Sequence, residues 1–311
     1  MNAFDNNFKY TGKTDNKIIL FYKYIGIQDP DALMDRERAV CDVLDIKGRI
    51  IIASEGINST MEGTNDNIDR YIRHIKGDAR FKDINIKVSE GTINRDAFPR
   101  LSVKVKKEIV STGLPSYIMP MHSRAPYIQP HELHKMYRDK DDFIVIDMRN
   151  DYELASGKFD RTLDIGLGNS RDLIKQVENL KYKVHKDTEI VTACTGGVRC
   201  EKMAAYLIDQ GFNNVRQLHT GMHGYMEKYP SQDFSGTLYT FDNRKVMHWS
   251  RDTINTKSDT DIKKRVVIGK CKFCHSPSER YENCDNKLCH KHYIVCDECV
   301  MSKGLKCGTC D

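Results

Sequence analysis

Long hydrophobic runs are missing from this sequence. No stretch of its 311 residues approaches the roughly 20 apolar residues that cross a bilayer. The first residues, MNAFDNNFKYTGKTDN, contain neither an apolar segment nor a small-residue cleavage site, which argues against a secretory signal. Internal repeats and low-complexity blocks are absent as well. These absences predict a cytoplasmic globular protein that makes no contact with a membrane.

A strong excess of one charge is also missing. The chain has 49 Lys and Arg against 44 Asp and Glu, which gives a net charge of +5. This balance permits nucleic-acid binding through a local basic patch but does not require it. No motif typical of flavin or haem binding is present, and the length predicts two or three domains.

The first 112 residues predict a small α+β sandwich. Strand-like and helical segments follow each other in an order near βαββαβ. Strands are expected in KIILFYKYIGI, GRIIIASEGINSTME, INIKVSE and FPRLSVKVKKEIV, and helices from Asp29 to about Asp45 and through NIDRYIRHIK. Residues 113–130 contain four prolines and predict a connector.

Residues 131–230 predict an α/β domain with a parallel sheet and helices on both faces. Short apolar strands in FIVIDMR, EIVTAC and VRQL alternate with helical segments in HELHKMYR, RDLIKQVENLKY and EKMAAYLIDQGF. Ligands of such sheets bind beyond the carboxyl ends of the strands, where Cys194 lies. Residues 231–269 are interpreted as a strand followed by a polar linker, and residues 270–311 as a cysteine-rich module.

The segment CTGGVRC, from Cys194 to Cys200, joins a predicted strand to a predicted helix. Glycines let such a loop curl so that backbone N–H groups surround the sulfur, and the helix start adds positive potential. Both effects lower the pKa of a thiol and favour the nucleophilic thiolate. Cys194 is therefore the candidate nucleophile, and Arg199 is a candidate cation beside it. The active-site loop between them consists of Thr195, Gly196, Gly197 and Val198.

Three further residues are expected near this loop. Cys200 is either a resolving thiol, which attacks an oxidised or persulfidated Cys194, or a thiol packed within the helix. Asp147 and Arg149 follow the preceding strand. We expect them chiefly to brace loops through a salt bridge.

Eight of the eleven cysteines crowd into the last part of the chain. They form four successive pairs, Cys271 and Cys274, Cys284 and Cys289, Cys296 and Cys299, and Cys307 and Cys310. Two tetrahedral sites of four thiolates each would use all eight, and zinc suits closed sites with soft ligands. A histidine, His275, His290 or His292, is an alternative ligand. Disulfides, free thiols and iron–sulfur clusters are the alternatives to zinc.

The residues around Cys194 resemble a rhodanese domain. IDMRNDYELASGKFDRTLDI is similar to the family's earlier strand and loop, and GFNNVRQLHTGMHGY is similar to its closing strand and turn. Lys158 stands where a histidine is usual, and Met222 replaces a common glycine. The resemblance implies a persulfide-carrying role for Cys194. Related phosphatases have one more residue between cysteine and arginine, so phosphatase activity is disfavoured.

Over nearly its whole length the chain resembles the rhodanese-containing tRNA uridine hydroxylases, the TrhO family. The resemblance is carried by FYKYIGIQDP, SEGINST, SVKVKKEIVSTG, IDMRNDYE, CTGGVRCEK and TFDNR. It implies an acylphosphatase-like fold for residues 1–112 and the conversion of the wobble uridine of tRNA to 5-hydroxyuridine, with dioxygen as co-substrate. The tRNA anticodon region is then the expected partner.

Two groups of residues in the first domain are candidate tRNA contacts. Lys104, Lys106 and Lys107 form a basic run that suits phosphates. Glu55 and Asn58 belong to SEGINST, which either binds the anticodon, contacts the cysteine loop or forms a tight turn.

Two other functions stay open from the sequence. A sulfurtransferase would accept sulfur from a persulfide donor on Cys194 and pass it to a thiol or to tRNA. A non-catalytic module, stapled by zinc, would bind tRNA without chemistry.

Overall fold

The computed structural model describes residues 14–115, 117–118, 125–249, 266–289 and 291–310. Its first part is a five-stranded sheet with two helices packed on one face. The elements are β1 (Asn16–Tyr24), α1 (Pro30–Val43), β2 (Lys47–Ala53), β3 (Gly56–Thr64), α2 (Asn65–Gly77), β4 (Ile86–Glu90) and β5 (Leu101–Val105). The strand order is β4-β1-β3-β2-β5, with β2 and β5 parallel and the other neighbours antiparallel. The predicted α+β class is confirmed.

Local sequence explains where these elements begin and turn. The Asp29 carboxylate accepts a hydrogen bond of 2.9 Å from the Ala32 N–H, and Pro30 occupies the first turn of α1, where no N–H is needed. GRIIIASEGINSTME, expected as one strand and a turn, forms the hairpin of β2 and β3, in which Ala53 pairs with Gly56. The turn falls at Ser54 and Glu55, between two runs that are each long enough for a strand.

Strand β1 is covered on both faces. Ile19 and Phe21 point into the core beneath α1 and α2. Because successive side chains of a strand alternate, Leu20, Tyr22 and Tyr24 point to the opposite face. That second face lies against the middle part of the chain, where Leu20 and Tyr22 contact the cysteine loop.

The middle part contains the predicted parallel sheet. Its elements are β6 (Tyr127–Ile128), α3 (Pro130–Asp139), β7 (Ile144–Asp147), α4 (Asp151–Leu154), β8 (Gly157–Phe159), β9 (Thr162–Leu163), α5 (Leu173–Leu180), β10 (Ile190–Ala193), α6 (Val198–Asp209), β11 (Val215–Leu218) and α7 (Gly221–Lys228). The order β6-β11-β10-β7-β9 is parallel throughout. Helices α5 and α6 cover one face and α3 and α7 the other, so both faces are buried as expected.

The segment after α7 is more ordered than a strand and linker. β12 (Phe234–Gly236) pairs with β8, and β13 (Leu238–Tyr239) forms a hairpin with β14 (Val246–Met247). The hairpin turn, TFDNR, reaches back to the first part, because the Arg244 guanidinium donates hydrogen bonds to Ser89 Oγ and to the Glu90 carbonyl. Residues 250–265, the polar remainder of the predicted linker, lie outside the described residues.

The cysteine-rich tail packs on the middle part. It contains β15 (Tyr281–Asn283), β16 (His292–Ile294) and α8 (Asp297–Lys303). The Tyr281 hydroxyl donates a hydrogen bond to the Tyr152 carbonyl, and the Tyr281 ring meets Tyr239 edge to face. Among all helices of the described ranges, none is long and apolar enough to span a bilayer.

Candidate active site and metal centres

Cys194 follows β10 at the carboxyl edge of the parallel sheet, as predicted. Its side chain is 0% exposed. The loop curls through Gly197, which has a φ of 103°, and α6 begins at Val198. This curl directs the Gly197 N–H at the Cys194 sulfur, at a distance of 3.1 Å. The sulfur therefore occupies the amide-lined position that the sequence indicated.

The electrostatics of the loop favour a thiolate on Cys194. Burial raises the pKa of this thiol, but a hydrogen bond from the Cys200 thiol, the charge of Arg199 and backbone N–H groups together lower it to about 6. The pKa of Cys200 moves the other way, raised by burial and by the neighbouring Cys194 sulfur. The two opposite shifts favour the thiolate at Cys194 and the protonated thiol at Cys200.

Arg199 is held by a carboxylate that sequence reasoning did not assign to the site. Its guanidinium donates two hydrogen bonds to Glu153, of 2.5 and 2.9 Å, and one of 3.4 Å to Thr195 Oγ1. Glu153 is fully buried and also accepts a hydrogen bond from the Asn150 N–H. The fork geometry fixes the orientation of Arg199 beneath the loop.

Asp147 and Arg149 form the expected salt bridge, 2.7 Å long and fully buried. Arg149 also donates to the carbonyls of Glu153 and Gly157, at 3.3 and 2.7 Å. These bonds hold the segment that carries Glu153 in place, and Glu153 in turn binds Arg199. Its contribution to the site is positional.

The first part of the chain contributes three side chains that contact the cysteine loop and the helix after it. Lys87 on β4 donates a hydrogen bond of 2.9 Å to the Gly196 carbonyl, and its ammonium lies 5.5 Å from the centre of the Tyr22 ring. The Tyr22 hydroxyl donates to Glu201, and the Tyr24 hydroxyl donates to the Val198 carbonyl. Sequence reasoning missed all three residues. The available signal was the aromatic run FYKY, which places large side chains on both faces of β1.

The two loop glycines allow strand β1 to lie close to the loop. A Cβ on Gly196 would lie 2.7 Å from a methyl carbon of Leu20, and one on Gly197 would lie 2.7 Å from the Tyr22 hydroxyl oxygen. Gly197 additionally has a positive φ that side chains disfavour. The glycines therefore let the loop curl around the Cys194 sulfur and let β1 pack against the loop.

Burial lowers the pKa of the Lys87 ammonium to about 8, and the negative charge of Cys194 partly opposes that shift. The Lys87 ammonium and the Cys194 sulfur are therefore close enough to interact electrostatically. Lys87 is 8% exposed, so water screens this interaction little. The cation therefore contributes to the positive environment of the loop.

The candidate tRNA contacts of the first part occupy two different environments. Glu55 is buried and pairs with Lys202 of α6, at 2.8 Å, and Asn58 donates to the Ile109 carbonyl. SEGINST therefore contacts the helix that follows the cysteine loop. Three further candidates, Lys104, Lys106 and Lys107, are exposed.

The eight tail cysteines form two clusters of four. One cluster contains Cys271, Cys274, Cys296 and Cys299, and the other contains Cys284, Cys289, Cys307 and Cys310. Within each cluster all sulfurs lie within 4.8 Å of one another. A tetrahedral zinc site with bonds of about 2.3 Å separates its sulfurs by about 3.8 Å, which fits this spacing.

The clusters are cross-braced, because each takes alternate pairs along the chain. Cys274 and Cys296, from the first and third pairs, have sulfurs 3.5 Å apart, as do Cys289 and Cys307, from the second and fourth. His292 instead stacks on Tyr281 and hydrogen bonds to Tyr239. Neither His275 nor His292 belongs to a cluster, and His290 lies outside the described residues.

Fold and site together define a rhodanese-like cysteine domain, covered by an α+β domain and followed by a cysteine-rich tail. Three family models match in this order. The UPF0176 acylphosphatase-like domain matches residues 16–109, the rhodanese-like domain residues 129–228 and the rhodanese C-terminal domain residues 235–311.

Curated relatives match nearly the full chain. A tRNA uridine(34) hydroxylase of Cytophaga hutchinsonii is 36% identical over 304 residues, which cover 94% of this chain and 90% of the relative. The protein of that name from Staphylococcus carnosus is 37% identical, with 91% and 86% covered. The one from an Arthrobacter species is 35% identical, with 94% and 97% covered. The chain belongs to the tRNA uridine(34) hydroxylase family.

Proposed function

We propose that this protein hydroxylates the wobble uridine of tRNA to 5-hydroxyuridine, with dioxygen as co-substrate and Cys194 as the reacting group. The observation that carries the proposal is the buried Cys194 sulfur, whose pKa is lowered to about 6 within a rhodanese-type loop. Membership of the family supplies the substrate, because its curated relatives are named for uridine 34 of tRNA.

Uracil C5 is not readily oxidised, so the enzyme must activate it. Addition of a nucleophile to C6 turns C5 into an enolate-like, electron-rich carbon. The Cys194 thiolate can act in two ways. It adds to C6 of the uracil, or its sulfur is first oxidised and then delivers oxygen to C5. Both require the anionic sulfur that Arg199 and the backbone N–H groups favour.

The electron balance gives Cys200 a role. Insertion of one oxygen atom of O₂ into the C5–H bond leaves the other atom as water and consumes two electrons and two protons. Oxidation of the Cys194 thiolate and the Cys200 thiol to a disulfide supplies both electrons and one proton, and solvent supplies the second proton. The hydrogen bond between these sulfurs favours this role. Two external thiols, oxidised together to one disulfide, would then reduce the pair for the next turnover.

The tail clusters would each hold one structural zinc ion. Thiolates alone form both clusters, so no coordination position is left open for chemistry. So small a module has little apolar core of its own, and metal binding would fix the surface that contacts Tyr152.

Wobble nucleosides from cells lacking the gene test the proposal. Wild-type protein is expected to restore 5-hydroxyuridine, and Cys194→Ala is expected to restore none. Cys41→Ala is the matched control, because Cys41 is equally buried but lies in the core of the first part. Wild-type levels of 5-hydroxyuridine with Cys194→Ala would refute the mechanism.

A second candidate function is persulfide transfer, favoured by the match of residues 129–228 to the rhodanese-like domain. In that reaction a persulfide donor would load the outer sulfur onto Cys194, and a thiol or tRNA would remove it. Thiosulfate-to-cyanide turnover in the absence of any tRNA oxidation would select this function.

A further inference from the structure

A cleft of about 720 Å³ lies where the three parts of the chain meet. Arg49 of the first part, Tyr152 of the middle part and Lys291 of the tail all line it. The hairpin turn TFDNR contributes Phe241, and Lys245 directly after it also lines the cleft. None of the proposed catalytic residues lines this cleft, so the chemistry described above does not account for it.

Phe241 is a fixed aromatic surface in the cleft. The residue is 40% exposed, although its neighbours Thr240 and Asp242 are buried. The Asp242 carboxylate accepts hydrogen bonds from the Arg244 backbone and guanidinium, at 3.0 and 2.8 Å, and these bonds hold the turn. The ring is therefore presented by a rigid support, which reduces the entropy lost on stacking.

The same ring connects the cleft to the cysteine loop. The Arg199 guanidinium carbon lies 5.6 Å from the centre of the Phe241 ring. Arg199 in turn hydrogen bonds to Thr195, one residue after Cys194. A planar group stacked on Phe241 would thus be next to the residues that activate the sulfur.

The charges of the lining suit a polyanion. Three cationic side chains, Arg49, Lys245 and Lys291, face two carboxylates, Asp151 and Asp242. Asp242 is already neutralised by its 2.7 Å salt bridge with Arg244. The lining therefore has a net positive charge beside an exposed aromatic ring, the combination that binds single-stranded nucleic acid.

We infer that this cleft binds a single-stranded RNA segment, with one nucleobase stacked on Phe241 and its phosphates near Lys245 and Lys291. The inference rests on the proposed function, and it assigns the segment to the anticodon nucleotides that flank the wobble uridine. Proteins read such unpaired loops by stacking bases on aromatic side chains.

Binding of a fluorescent anticodon stem-loop RNA with uridine at the wobble position tests the inference, using the full-length, zinc-loaded chain. Loss of one base stack predicts binding weaker by about 5- to 150-fold for Phe241→Ala. Phe241→Trp keeps an aromatic face and is expected to stay within about threefold of the wild type. Equal binding by Phe241→Ala and wild type would overturn the stacking contact.

The lysines give a readout that does not depend on Phe241. Lys245→Ala combined with Lys291→Ala should weaken binding and flatten its dependence on salt, because fewer phosphates are neutralised. Lys175→Ala, an exposed change on α5, should leave both unchanged. An unaltered salt dependence in the double variant would overturn the phosphate contacts.

The outcomes also separate this inference from the proposed function. If the wild-type protein forms 5-hydroxyuridine and the cleft variants bind and react normally, the RNA-binding role of the cleft is rejected and the proposed function stands. Wild-type protein that binds the stem-loop through Phe241 but never oxidises it would reject the hydroxylase function and keep the cleft.

Discussion

Lys87 of the first domain donates a hydrogen bond of 2.9 Å to the carbonyl of Gly196, two residues after the candidate nucleophile Cys194. The contact joins residues 109 positions apart in the sequence. The candidate active site therefore contains residues of both the acylphosphatase-like domain and the rhodanese-like domain. Predictions about its chemistry must include side chains from both.

Replacing Lys87 by methionine is expected to raise the pKa of Cys194 by about 0.5–1 unit, because a buried cation near the thiolate is lost. The pH dependence of iodoacetamide alkylation at Cys194, followed by mass spectrometry, measures this pKa. Lys17→Met is the control, since Lys17 pairs with Asp69 away from the loop. An unchanged Cys194 pKa in folded Lys87→Met would remove Lys87 from the site.

The substitution Glu153→Gln is expected to change the stability of the fold and the pKa of Cys194 in ways that can be measured separately. The variant leaves Arg199 as a buried cation without its carboxylate, which is expected to lower the free energy of unfolding by about 3–5 kcal/mol. The unneutralised Arg199 should at the same time lower the Cys194 pKa further. Chemical denaturation and alkylation measure the two effects, with the exposed Glu178→Gln as control. A Cys194 pKa that rises instead would contradict the assigned role of Arg199.

The pKa of Cys194 also predicts how stability depends on pH. In the folded protein the pKa is about 6, whereas an unfolded cysteine has a pKa of about 8.5. Between these values the unfolded state binds one more proton, so the thiolate adds stability as pH rises, at about 1.4 kcal/mol per pH unit. This contribution is fully present above the unfolded pKa and is lost as pH falls through about 6.

Urea unfolding of wild type and Cys194→Ser across this range checks the prediction. The difference in stability between the two proteins should grow from pH 6 toward pH 8.5. A difference that stays constant would mean that Cys194 is protonated in the folded state.

Metal content tests the cross-braced clusters. Wild-type protein is expected to hold two zinc ions per chain, and Cys271→Ala or Cys307→Ala should lose one each, because each removes a ligand from a different cluster. Cys41→Ala should keep both. Retention of two ions in both tail variants would contradict the thiolate assignments.

The cysteine loop could be predicted because its signals are local. A strand, two glycines and a helix start within a few residues of Cys194 are sufficient to place the sulfur among backbone N–H groups. The salt bridge of Asp147 and Arg149 was equally accessible, because both residues follow one strand. The parallel sheet itself follows from the alternation of short apolar strands and helices.

Contacts between distant segments could not be predicted. Nothing near Lys87 indicates that it meets Gly196, since that contact depends on how two domains pack. The spacing predicted two clusters of four cysteines but not the alternate pairing, which the contact between Cys274 and Cys296 shows in the folded tail. Residues 231–269 are interpreted from their sequence as a strand followed by a linker, and nothing in that pattern indicates that Asp242 and Arg244 are buried as a pair.

The most direct test of the central claim uses purified, zinc-loaded protein, tRNA, a thiol reductant and heavy-isotope dioxygen. Wild-type protein should form 5-hydroxyuridine that carries one heavy oxygen atom, and Cys194→Ser should form none. Product at the wild-type level from Cys194→Ser, or product whose oxygen comes from water, would contradict oxidation by dioxygen through the Cys194 thiolate.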